Sequence, residues 1–316
     1  MYIKLVATTL SIMSPFVGAI LIWILLDHAD ISASDLLEPL RRTSPLQVSL
    51  IFALLSSHIW LGGEKWRAVE SMFGTCPTRW EAFTYGAIAS GLGQFLPPPV
   101  SNAMIRAGGN YIKSGTGARR GALTSTWKQL FDLYVVLILT VPALIAAYIA
   151  PALSFFVLSP LFLLLGEGLI RQLHKIADSL TQDQNPLRNL RNNIFLYRLS
   201  VLRYLVLTIL TLLISTVSHT GIPPIPLASI IPPVAFATAL SMLPAGLGVS
   251  EWSFVYFLSH HGVALESSAT FGIFNRALQS AAYLTIAALV LILISGRSAK
   301  RFLSLLRSKK ARAQQT

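Results

Sequence analysis

The fold class this sequence predicts is all-α and polytopic: about six full membrane spans plus two broken re-entrant helical hairpins, set as an inverted repeat. Three observations predict it. The first is composition, 53% hydrophobic and 12% charged with a mean hydropathy of +0.62, where soluble domains carry about 25% charged residues. The second is the length of the uncharged runs: 22 residues over 5–26, 21 over 43–63, 34 over 133–166, 47 over 204–250 and 20 over 277–296. About 20 residues cross a bilayer as a helix, so the two longest runs must fold back. The third is that two apolar stretches are interrupted. GQFLPPPVSNAMIRAGG closes an uncharged run over 82–105, and ALSMLPAGLGVSEWSF, residues 239–254, breaks the 47-residue run.

Cytoplasmic loops are enriched in Lys and Arg, and that rule orders the elements. Basic clusters fall at Lys65, Arg67 and Arg79, then across Arg106–Lys128, then Arg171–Arg203, then in the tail from Arg297 to Arg312. Span 1, about 5–26, exceeds a signal-peptide core of about 7–15 residues and is expected to be retained. Span 2, about 46–63, returns to the basic side. The segment over 82–105 then has basic residues at both ends. A hairpin entering and leaving on the cytoplasmic side reconciles them; the alternative is that both interrupted segments are kinked full spans, giving eight crossings. Spans 3 (about 127–148), 4 (about 152–171) and 5 (about 197–218) follow, with the polar stretch 171–198 read as a loop. The second broken segment enters from the other side, and span 6 (about 272–296) delivers the basic tail, 299–316, to the cytoplasm. The whole chain, 1–316, thus reads as one transmembrane domain in a plasma (bacterial inner) membrane with both termini cytoplasmic. Its halves, 1–150 and 151–298, each read span, span, broken hairpin, span, starting from opposite sides. Inverted repeats with Pro/Gly-interrupted segments at matching positions point to a transporter site near the midplane.

Non-helical backbone at membrane depth is buried in protein or lines a watery cavity, so the breaks are the candidate site. Pro97, Pro98 and Pro99 lack N–H groups and end a half-helix. Ser101 or Asn102 is expected to cap the next one, whose amides would attract an anion beside Arg106. In the second break Pro244, Gly246 and Gly248 shape the turn, Ser250 is the expected N-cap and Glu251 lies in the first turn. Asp132, Glu167 and Arg276 are further ionisable residues within spans, where charges mark a pathway, a relay or an ion pair. Lys128 with Asp132 at i,i+4, Arg276 with Glu251, and Glu167 with Arg171 are the candidate pairs. Lys113, Arg119, Arg120 and Lys128 form a basic mouth suited to gathering anionic headgroups.

Other chemistries are not expected. The single Cys76 excludes an intrachain disulfide or a multi-cysteine metal site. His260-His261 lacks a third ligand, so no metal is expected. No protease, hydrolase, Walker or Rossmann pattern occurs, so neither enzymatic activity nor a cofactor is expected. The basic tail sits beside the last span and suits anionic lipid rather than nucleic acid. Trp60, Trp66, Trp80 and Trp127 are read as interface anchors.

Three places resemble the lysylphosphatidylglycerol synthase transmembrane-domain family, also described as flippase-like: Lys65-Trp66-Arg67, FLPPPVSNAMIRAG leading to Trp127-Lys128 and Asp132, and SMLPAGLGVSEWSF followed by Arg276. The chain departs from the family pattern at Val100-Ser101-Asn102, at Lys128-Gln129 and at Ser250. The resemblance implies movement of lipids between leaflets, the cargo being an anionic phospholipid or a polyprenyl-linked lipid. Bifunctional members add an aminoacyl transferase domain for which this chain has no room, so lipid aminoacylation is not expected. Two alternatives stand beside a flippase: a non-enzymatic partner of an envelope glycosyltransferase or lipid-modifying enzyme, and a secondary transporter of a small anion.

Overall fold

The computed structural model describes residues 2–313 except 75, 115–117, 150 and 181–189, and describes backbone without side chains at 2–14, 33, 107, 110–114, 118–120, 173, 175–180 and 296–313. Every regular element among the described residues is helical: α1 (Tyr2–His28), α2 (Ala33–Arg42), α3 (Pro45–Met72), α4 (Arg79–Leu92), α5 (Pro98–Ser114), α6 (Ala118–Tyr148), α7 (Ser154–Leu180), α8 (Leu190–Ser218), α9 (Pro224–Leu240), α10 (Val249–Ser259) and α11 (Leu265–Ala313). Five of them are long and apolar enough to cross a membrane among the described residues: α3, α6, α7, α8 and α11. The chain is therefore an all-α, multi-pass membrane protein.

Both interrupted segments are hairpins whose arms pack on each other, α4 on α5 and α9 on α10. In the first hairpin Gly109 lies against the Tyr85 ring, at mirror positions about Pro97. A Cβ on Gly109 would come within 2.6 Å of that ring, so glycine permits the close approach. At about 1.5 Å per residue, the 14-residue α4 and the 11-residue α10 are too short to span the hydrocarbon. Packing around the hairpins comes in matching pairs. α4 packs on α11 as α9 packs on α6, α5 on α6 as α10 on α11, and α3 runs along α8.

Local sequence explains the helix starts. Ser44 and Thr78 each form a capping box, with Gln47 and Glu81 respectively, so α3 and α4 begin where their first amides find acceptors. The main apolar core lies where α3, α8, α9, α10 and α11 meet, with Leu55, Leu210, Ile214, Leu227, Phe254 and Phe271 among its fully or nearly fully buried residues. Outward faces stay apolar, as Val157, Leu164 and Ile292 show, which suits contact with lipid rather than water.

Several expected boundaries move. α3 continues through Lys65 to Met72, and α8 begins at Leu190, so residues expected in loops lie within helices. The polar stretch 171–198 is helical as far as Leu180 and again from Leu190. The tail continues α11 to Ala313. A short helix, α2, occupies the expected loop after α1, started by a Ser32–Asp35 capping box. Trp66 is not an interface anchor. It is fully buried, while Trp60 and Trp80 are exposed.

Candidate functional site

α3 carries a buried polar stripe at His58, Gly62, Lys65 and Glu70, spaced so that these residues share roughly one face. α8 presents Ser200 and Arg203 to it, and α6 presents Thr124, Lys128 and Asp132 at intervals of four. Asp132 is the hub. One of its carboxylate oxygens accepts from Lys65 Nζ at 2.5 Å and the other from Arg203 Nη1 at 2.6 Å. Lys65 also donates to the Ser200 hydroxyl, and Arg203 Nε donates to the His58 carbonyl at 3.3 Å. Three helices are thus tied through one carboxylate. The i,i+4 pairing of Lys128 with Asp132 expected from sequence does not form, because Asp132 is occupied from the other side by Lys65 and Arg203.

Lys128 is left over. Its side chain is 2% exposed and makes no hydrogen bond or salt bridge among the described residues. Its head and the Arg203 guanidinium both sit over Gly62, 3.7 and 3.5 Å from where a Cβ would stand. Arg106 on α5 is also buried, with its guanidinium carbon 5.3 Å from the Trp66 ring centroid. Its Nε and Nη1 have no acceptor. Nearby, Glu70 is fully buried and accepts from Thr124 Oγ1 at 2.6 Å.

The second hairpin holds a smaller group. Arg276 on α11 donates to Glu251 Oε1 at 3.0 Å and to Ser250 Oγ at 2.9 Å. Glu251 is fully buried, and its Oε2 has no partner. The turn before it needs left-handed backbone: Met242, Ala245, Gly246 and Gly248 have φ of 52°, 47°, 72° and 82°. Gly248 is the N-cap of α10, so Ser250 sits one residue inside the helix and bonds Arg276 instead of capping.

The first break also differs from expectation. Pro98 and Pro99 do not merely end α4; they form the first turn of α5, a position where a missing N–H costs little. The amides of Val100 and Ser101 both bond the Pro97 carbonyl, at 2.9 and 3.1 Å. Ser101 and Asn102 bond back to the Pro98 carbonyl at 3.2 and 2.8 Å and cap nothing. This break therefore offers an anion no free amides, and its charge comes from side chains alone.

A cavity of about 540 Å³ joins the two groups. Pro98, Pro99 and Asn102 line it at the first break. Lys128, Asp132 and Arg203 line it at the charged hub, and Ser250, Asn275 and Arg276 at the second hairpin. Leucine, valine and isoleucine side chains of α6, α8 and α9 complete an apolar wall. Of the expected site residues, Asp132, Lys128, Arg276, Ser250 and Asn102 meet in this cavity, while Arg106, Glu251 and Ser101 are buried and do not line it. Glu167 pairs with Arg171 at 2.7 Å, as expected, and with Arg198 at 3.0 Å, away from the cavity. The side chains of Lys113, Arg119 and Arg120 lie outside the described residues. Lys65, Arg203 and Glu70 were not expected in a site; the signal for Lys65 was its 3–4 spacing from His58 and Gly62 on α3, continuing past the point where an apolar count ends the span, and Arg203 and Glu70 had no such signal. Among the described residues no group of His, Cys, Asp or Glu is placed to hold a metal ion.

A family model described as the lysylphosphatidylglycerol synthase TM region matches residues 6–288. No curated protein and no solved structure matches the chain.

Proposed function

The chain belongs to the lysylphosphatidylglycerol synthase TM family, a membrane family tied to lipid handling, and on that premise we propose that it translocates an anionic lipid headgroup between leaflets without enzymatic chemistry. The observation that carries this reading is the cavity whose lining combines Lys128, Arg203 and Arg276 with apolar side chains of α6, α8 and α9. A charged headgroup needs fixed cations and polar hydrogens at membrane depth, while its acyl chains need an apolar flank. The cavity offers both together. The hub between α3, α6 and α8, with the two hairpins on either side, supports a site near the bilayer midplane. The basic residues of α5 and α6 suit a cytoplasmic mouth of a bacterial inner membrane protein.

The test is reconstitution of the full chain in vesicles containing a trace of headgroup-labelled phosphatidylglycerol, followed by a membrane-impermeant quencher. Protein-dependent loss of the protected inner-leaflet signal is expected, and it should be sharply reduced by Arg203→Gln. No acceleration over protein-free vesicles for any anionic lipid would overturn translocation. An envelope enzyme copurifying with such an inactive chain would turn the reading to a substrate-presenting partner.

A further inference from the structure

The buried charges around the hub do not cancel. Lys65, Arg106, Lys128 and Arg203 are basic, and among the described residues the carboxylates in the same electrostatic neighbourhood are Asp132 and Glu70. With all four protonated, four positive charges against two negative ones leave two positive charges uncompensated among the described residues. The Glu251–Arg276 pair adds none, since it is neutral as a unit. Three of the four cations are at most 2% exposed, so water does little to offset the excess. Isolated buried charge is strongly disfavoured, and a site keeps it where a guest of opposite charge completes it. The unengaged members are informative. Lys128 has no acceptor and lines the cavity, and Arg106 has two unpartnered nitrogens directly behind.

Resting on the lipid reading above, we infer that the cavity is matched to a headgroup carrying two negative charges on terminal phosphate, a phosphomonoester or diphosphate lipid, in preference to a singly charged phosphodiester. A terminal phosphate presents three acceptor oxygens and carries −1.5 to −2 charges near neutral pH. The heads of Lys128 and Arg203 converge beside Gly62 and both residues line the cavity, so one phosphate can bind both while Asp132 stays on Lys65. A phosphodiester supplies one charge and leaves one cation uncompensated. Arg276, Asn275 and Gln279, which also line the cavity, suit the second phosphate of a diphosphate.

The experiment is native mass spectrometry of the purified full chain in mild detergent, titrated with phosphatidic acid, phosphatidylglycerol and phosphatidylcholine, with inorganic pyrophosphate as a soluble competitor. Phosphatidic acid is expected to bind about tenfold more tightly than phosphatidylglycerol, with phosphatidylcholine weakest. The second ionisation of a phosphomonoester lies near pH 6, so the ratio should fall several-fold when pH drops to about 5. Phosphatidylglycerol binding should barely change. Lys128→Gln is expected to bring the two lipids together, while a thermal melt in detergent matching wild type confirms that the variant is folded. Equal binding of the two lipids by wild-type protein, at both pH values, overturns the dianion match and leaves lipid translocation standing. Pyrophosphate binding as tightly as phosphatidic acid, with no lipid translocated in the vesicle assay, keeps the charge match and overturns the lipid reading in favour of a soluble anion.

Discussion

The two hairpins make the same reversal with opposite backbones. The first turns on Pro97, Pro98 and Pro99, with no left-handed residue, and satisfies its amide donors internally at the Pro97 carbonyl. The second turns on four residues in the left-handed region, two of them glycines. Their charges differ in the same way. Arg106 stands behind the first break with an aromatic ring for company and no carboxylate on it. Glu251 stands behind the second with Arg276 held to it. One hairpin is thus stiff in backbone and open in charge, the other demanding in backbone and closed in charge. The guest's electrostatic partner is expected on the first side, and conformational sensitivity on the second.

Experiments can break that contrast. The largest effect is expected at the hub, which belongs to neither hairpin and sets the scale. Asp132→Asn strands Lys65 and Arg203 in a buried setting, and losing one member of such a group costs about 3–5 kcal/mol. The thermal melt in detergent should collapse, and combining it with Lys65→Met should recover part of the loss. Next comes Gly248→Ala. Its φ of 82° and a Cβ 2.5 Å from Leu21 make it strained twice over, at about 2–4 kcal/mol. Pro99→Ala, the matching change in the first hairpin, should stay within about 1 kcal/mol, because the proline only preorganises a helix start. Equal losses at the two positions would erase the backbone half of the contrast.

A smaller effect is expected at Trp252, whose indole N–H donates to the Leu21 carbonyl at 3.0 Å and fastens the second hairpin to α1. Trp252→Phe should cost about 1 kcal/mol, read as a modest shift in the melt. Smallest is Arg106→Met. Loss of the contact with Trp66, about 2 kcal/mol when desolvated, is offset by release of an uncompensated buried charge. The melt should stay within about 1 kcal/mol of wild type while lipid translocation drops, and full retained translocation would remove Arg106 from the transport cycle.

Much of the fold was legible because the bilayer simplifies the code. Uncharged runs, three prolines in a row and a Pro-Gly-Gly cluster marked both reversals, and both hairpins fold at those residues. What the residues could not show was which charges are buried. An apolar count ends a span at its first charge, so Lys65 reads as a loop residue, and Arg203, though inside the expected fifth span, groups with a basic cytoplasmic cluster. Both lie inside helices, α3 and α8, and neutralise Asp132. Burial of Lys65 in protein makes its position tolerable, and packing is invisible to a hydropathy count. The capping expectations at Ser101 and Ser250 failed for a local reason: each helix starts ahead of the expected cap, at Pro98 and at Val249, using backbone that needs no side-chain cap. α2 was readable in principle, since Ser32 and Asp35 stand at capping-box spacing.

The two oxygens of Asp132 go to different helices, Lys65 on α3 and Arg203 on α8. On the proposed lipid-carrier reading, a phosphate entering the cavity would compete for Arg203 with one carboxylate oxygen while the other stays on Lys65. Asp132 would then be a resident stand-in for that guest, holding the cation when the cavity is empty and yielding half its grip when the guest binds. Such an exchange would spare Arg203 from being left unpaired in either state and would narrow the free-energy gap between the empty and the loaded cavity, which is what a carrier that must let go requires.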